Sequence, residues 1–271
     1  MSFHIRTRVL VAVALIILML GMSASFGISS QDERKSTSLE DEIPLLLTHS
    51  TITDIGFSAD SIYTNTTIAA GTYNGCAILE NQSMVCWGDN EYGQLGDGTT
   101  TGSAVPIYVN VAANETPVEV TVGQVTACAL MESGNIYCWG SGYYGKMGNG
   151  EPWNDDYVNT EMRQVLLPEG QGGQTVSISG GHICTILNNG DVYCWGRGNQ
   201  GQLGYGGTSN RNIPAKVNLP GQRSAIAIST GTFMTCAITN DGMGYCWGEN
   251  DEGQLGNGTT NSRQMTPAEV L

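Results

Sequence analysis

The chain has 271 residues, a formal net charge of −14, eight cysteines and 37 glycines. Its 11 lysines and arginines are scattered, so no basic face forms, which speaks against nucleic acid or an anionic membrane surface as a partner. Short apolar runs are separated by Gly, Asn, Asp and Thr clusters, with no helical periodicity after the first residues, which excludes a helical bundle and predicts an all-β protein.

In chain order, residues 1–28 have the layout of a signal peptide or membrane anchor. Arg6 and Arg8 precede an apolar run from Val9 to Met22, and the small residues Ser23-Ala24-Ser25 follow. Cleaved or retained, such a leader places the rest of the chain outside the cytoplasm, in the extracellular space or the cell envelope. The membrane enters only through an uncleaved N-terminal anchor. Residues 29–65 read as a polar linker followed by an edge segment: 29–43 are charged and unpatterned, and Leu45-Leu46-Leu47 is a brief apolar run.

From residue 66 to 271 one hairpin is written four times. Its clearest copy runs from Cys184 through Asn188-Asn189-Gly190 to Tyr193-Cys194-Trp195-Gly196, followed by Gly201-Gln202-Leu203-Gly204. The others are centred on Cys76–Trp87, Cys128–Trp139 and Cys236–Trp247, at steps of 52, 56 and 52 residues. A fixed period of this length signals a repeat architecture. Gly134, Gly190 and Gly242 suit the left-handed position of a three-residue hairpin turn. The first copy carries Gln82 there, which predicts a strained turn or one of another type.

In that register the cysteines of each copy face one another across neighbouring strands, close enough for a disulfide. The spacing predicts Cys76–Cys86, Cys128–Cys138, Cys184–Cys194 and Cys236–Cys246, and leaves no cysteine over. Free thiols and a metal site are the rival readings; with no Cys-x-x-Cys, the pattern makes a poor tetrahedral site. Alternation puts Tyr193 and Trp195 on one face of their strand and Cys194 on the other, and likewise in two other copies. Repeated aromatics at one strand position read as filling between sheets.

Each unit is expected to hold four short strands. Outer strands are predicted at 107–111, 164–167, 215–219 and 268–271, and second strands at 67–70, 119–122, 175–179 and 225–229. Four antiparallel strands at this period describe a propeller blade. On this phasing, 268–271 opens a further unit that the sequence does not continue.

The series Gly-His-x-Cys…Gly-x-Val-Tyr-Cys-Trp-Gly…Gly-Gln-Leu-Gly, from Gly181 to Gly204 and three more times in looser form, resembles the regulator-of-chromosome-condensation repeat family. The resemblance implies an all-β propeller of four-stranded blades. Complete members usually have seven, so four units imply a propeller-type arc, open or incomplete. Family roles range from guanine-nucleotide exchange to light sensing and protein binding, and the cysteine-paired form resembles exported prokaryotic members.

For chemistry the sequence offers little. His49 and His182 are the only histidines after the leader, and neither has a defensible Ser or Cys partner; His182 reads as a structural strand-end residue. No phosphate-binding loop, metal motif or cofactor motif is present. The 56-residue step carries an insertion around Glu151-Pro152-Trp153-Asn154-Asp155-Asp156-Tyr157. Trp153, Asp155, Asp156 and Tyr157 are therefore the candidate binding loop. The expectation is a non-enzymatic, exported binding module whose partner is a protein or a surface glycan. A nucleotide-exchange regulator and an exported hydrolase or lyase are the alternatives.

Overall fold

The computed structural model describes residues 67–152, 157–260 and 263–271, so the leader, the linker and three residues of the candidate loop, Trp153, Asp155 and Asp156, lie outside the described residues. The described part is built from four antiparallel sheets of four strands each, every sheet running in chain order from an inner to an outer strand. The first blade is β1 (Ile68–Ala70), β2 (Asn74–Ile78), β3 (Met84–Gly88) and β4 (Ser103–Tyr108). The second is β5 (Pro117–Val122), β6 (Thr126–Met131), β7 (Ile136–Ser141) and β8 (Val158–Gln164). The third is β9 (Gly173–Ile178), β10 (His182–Leu187), β11 (Val192–Gly196) and β12 (Arg211–Lys216). The fourth is β13 (Ala225–Thr230), β14 (Met234–Thr239), β15 (Gly244–Glu249) and β16 (Arg263–Glu269).

The middle hairpin of each blade has the predicted register. Cys76 faces Cys86, Cys128 faces Cys138, Cys184 faces Cys194 and Cys236 faces Cys246. Each pair is a disulfide with Cα atoms 4.1 Å apart, and no free cysteine is present. The turn of the first copy is strained rather than of another type. Gln82 takes φ 66°, the left-handed conformation that Gly134, Gly190 and Gly242 hold at 84°, 83° and 85°.

The outer strands differ from expectation in position and in phase. They begin at Ser103, Val158, Arg211 and Arg263, several residues ahead of the predicted starts. Three contain a proline: Pro106, Pro214 and Pro267. Beside each proline the pairing with the preceding strand shifts register, between Cys86 and Gly88, Cys194 and Gly196, and Cys246 and Gly248. A bulge on an edge strand is where proline is tolerated within a sheet, because its missing N–H faces no ladder partner. The outer strand also closes its own blade rather than opening the next, so Arg263–Glu269 completes the fourth sheet by pairing with β15.

Successive blades pack face to face by one rule. The disulfide face of one blade meets the tryptophan face of the next. Cys76, Ile78, Met84 and Cys86 pack with Ala127, Ala129, Met131 and Trp139. The same pattern joins the second blade to the third and the third to the fourth. The fourth sheet makes no comparable packing against the first, and the arc is open.

A lock recurs at each junction. The indole N–H groups of Trp139, Trp195 and Trp247 donate to the backbone carbonyls of Gln94, Lys146 and Gln202 in the preceding blade's Gly-x-x-Gly loop, at 2.9, 2.8 and 2.9 Å. A Cβ added at Gly96, Gly148 or Gly204 would lie 2.9, 2.8 or 2.6 Å from the indole nitrogen, so only glycine lets the loop close over the ring. The Leu or Met of each loop, Leu95, Met147, Leu203 and Leu255, is buried.

Candidate binding cleft

The loops after each Trp-Gly gather at one end of the blades with the turns that join inner strand to hairpin. Across all four blades, from Tyr92 of the first to Phe233 of the fourth, they leave a cleft of about 640 Å³. Its walls include Tyr143, Tyr144 and Phe233, and its cations are Lys146 and Arg197; no Asp, Glu, His or Cys lines it.

Superposing the four loops shows why the cations stand unpaired. The blade-end position of Asp89 is occupied in turn by Ser141, Arg197 and Glu249, and the loop position of Gln94 by Lys146, Gln202 and Gln254. In the first and fourth blades the glutamine donates to the carboxylate: Gln94 Nε2 to Asp89 at 2.8 Å and Gln254 Nε2 to Glu249 at 3.5 Å. In the second blade Lys146 replaces the glutamine and Ser141 the acid. In the third, Arg197 replaces the acid, and the Nε2 of buried Gln202 is left without an acceptor.

Lys146 is only 2 % exposed. Burial alone pulls its pKa down, from 10.5 to about 8, because an ammonium loses hydration without gaining a counter-charge. Arg197 sits between two rings, 5.1 Å from the centre of Tyr144 and 4.9 Å from that of Phe233. Its Nε donates to Asn199 at 2.8 Å, and no carboxylate pairs with it among the described residues.

The exchange of glutamine for lysine also reshapes the backbone. Elsewhere the glutamine Oε1 accepts the N–H two residues upstream, from Tyr92, Gln200 and Glu252 at 2.9, 2.8 and 2.9 Å. Lys146 has no acceptor to offer Tyr144, and Tyr144 turns left-handed, at φ 66°. That conformation costs a non-glycine residue roughly 1–2 kcal/mol. Here it holds the Tyr143 and Tyr144 rings 3.9 Å apart at the cleft wall.

The residues singled out from sequence fall in different places. The eight cysteines lie between strands and on the blade faces, away from the cleft. Tyr157 is the one described member of the candidate loop. It is half-buried against the core between blades two and three. Its backbone carbonyl accepts the Gly142 N–H at 2.9 Å, and its hydroxyl donates to the Glu151 carboxylate. Tyr157 thus lies against Gly142, the residue before the Tyr143–Tyr144 wall. His182 is fully buried, with Nε2 2.7 Å from the Thr235 hydroxyl, and burial pulls its pKa down to about 3. It is a neutral packing residue, as its strand-end position suggests. Sequence reading missed Lys146 and Arg197; comparing the four repeats shows both exchanges, but not that the two positions face each other.

Four disulfide-closed blades of four antiparallel strands, interlocked through a repeated tryptophan, define a repeat propeller. Two models of the regulator of chromosome condensation (RCC1) repeat match the chain, one over residues 85–130, 189–238 and 241–270, the other over 66–94, 118–146, 174–202 and 225–254. The chain belongs to the RCC1 repeat family. It is 32 % identical over 203 residues to the ultraviolet-B receptor UVR8 of Arabidopsis thaliana, covering 75 % of this chain and 45 % of the receptor. It is also 32 % identical over 199 residues to the human E3 ubiquitin-protein ligase HERC2, covering 73 % of this chain and 4 % of the ligase. Among solved structures, Prp20p of Saccharomyces cerevisiae matches with a TM-score of 0.66 at 19 % identity, over 76 % of this chain and 50 % of Prp20p. Human WBSCR16 matches with a TM-score of 0.67 at 19 % identity, over 76 % of this chain and 52 % of WBSCR16. The chain therefore spans about half or less of the relatives it matches.

Proposed function

We propose that this protein is an exported, non-enzymatic protein-interaction module whose cleft receives an acidic segment of its partner. The observation that carries the reading is the pair Lys146 and Arg197, two cations without a carboxylate partner among the described residues, in a chain of net charge −14. A buried ammonium without a counter-ion is costly, and a partner's carboxylate supplies what the other blades obtain from their own Asp89 and Glu249. The chain's overall negative field opposes an acidic ligand only weakly, since charges more than about 8 Å away are largely screened at physiological salt. The paired cysteines and the leader-like start favour an oxidising, extracytoplasmic location. Family use of the scaffold agrees with protein docking: yeast RCC1 (Prp20) is described in complex with Kap60, and Prp20p as binding Gsp1p and histones.

The test is a titration of the full chain with a fluorescein-labelled peptide of five glutamates, read by anisotropy. Saturable binding is expected, weakened at least tenfold by Arg197→Gln and by Lys146→Gln, the residue of the other three blades. Because the lysine loses its proton as pH rises through about 8, affinity should fall between pH 7 and 9 in the native protein. That fall should vanish in Lys146→Gln. Equal binding by native protein and both variants, or none by any of them, would refute the cleft as the site.

A further inference from the structure

The two ends of the arc carry the two halves of an interface that the chain already builds three times. On the disulfide face, Ile78, Leu130 and Ile186 are 2 %, 5 % and 1 % exposed, whereas Ile238, at the same position of the fourth blade, is 47 % exposed. Val109, Val165 and Val217 are buried, and their counterpart Val270 is 38 % exposed. On the tryptophan face, Met131, Leu187 and Thr239 are buried, and their counterpart Leu79 in the first blade is 39 % exposed.

The lock is split in the same way. Trp87 is half-buried, and its indole N–H has no acceptor among the described residues. The Gln254 carbonyl receives no tryptophan among the described residues. A Cβ at Gly256 would meet only Val270, at 3.2 Å, where the other three loops press on a ring. The space for an indole is open at one end, and an unlocked indole stands at the other. The fourth face differs mainly at Gly244, which stands where Met84, Ile136 and Val192 stand and leaves the surface shallower there.

We propose that the chain associates head to tail with a second copy of itself, the first-blade face of one copy docking on the fourth-blade face of the other, with Trp87 seated over Gln254 and Gly256. The occupant is another copy because each face is already matched in kind by the opposite end of the same chain. The contact is heterologous, since the two faces are different surfaces. The net charge of −14 opposes it, so added salt should strengthen association.

Sedimentation velocity of the full oxidised chain over a micromolar concentration series tests this. The native protein should form species larger than one chain, more so at higher salt. Leu79→Glu and Ile238→Glu should each weaken association at least tenfold, because each puts a charge into an apolar contact. Mixing the two variants should restore a one-to-one dimer, since each retains the face the other lacks. That restoration also shows that both variants are folded. Three results would overturn the proposal: a native chain monomeric throughout, with its ends covered by its own N-terminal residues or by none; loss in Ile238→Glu but not in Leu79→Glu, which means that two fourth-blade faces meet; or failure of the mixture to dimerise.

Discussion

At Gln82 the chain holds a non-glycine residue in a conformation that three sister turns give to glycine, at φ 66°. The N–H of Gln82 still closes the turn on Leu79 at 2.8 Å, so geometry was kept and the cost accepted. The left-handed penalty of about 1–2 kcal/mol exceeds glycine's larger unfolded-state entropy of about 0.5–1 kcal/mol. Gln82→Gly should therefore raise stability by roughly 0.5–1 kcal/mol, seen as a higher urea midpoint under non-reducing conditions; a lower midpoint would contradict the strain. This strain was legible from sequence because the repeat supplies three controls. The left-handed turn at Tyr144 was not, since its cause lies in the hydrogen bond lost when Lys146 replaces a glutamine. The same comparison across repeats points to Lys146 and Arg197, but only once the structure shows that the two positions face each other in the other blades.

Among the elements, the blade junction is the unit of stability. Trp195 is wholly buried, and its N–H is held by the Lys146 carbonyl. Trp87 has neither full burial nor an acceptor among the described residues. Trp195→Ala should thus cost about 3–5 kcal/mol, and Trp87→Ala clearly less. Denaturant midpoints of the two variants check this order, and equal losses would contradict the junction described. The register of the hairpins could be read from sequence, because the ten-residue cysteine spacing and the turn glycines fix it. The outer strands could not. Pro106, Pro214 and Pro267 each sit inside an outer strand, at a bulge where an edge strand tolerates proline. The strands start at Ser103, Val158, Arg211 and Arg263, ahead of the predicted 107, 164, 215 and 268, and each closes its own blade instead of opening the next.

For the whole molecule, the disulfides and the open arc bear on where the protein works and with what. Each disulfide closes a short hairpin and stabilises it by roughly 2–3 kcal/mol on the chain-entropy model. The first three also lie on the blade faces that meet, so their reduction would loosen hairpin and junction together. A scaffold pinned in this way suits a space without chaperones or reductants, and its mouth, lined by aromatics and two unpaired cations, suits a docking role. The most direct test is the intact mass of the protein isolated from its own cells, alkylated before unfolding and without reductant. The account predicts that none of the eight cysteines is alkylated until a reductant is added, after which all are. Alkylation without reductant would place the protein in a reducing compartment and contradict the exported, disulfide-pinned module.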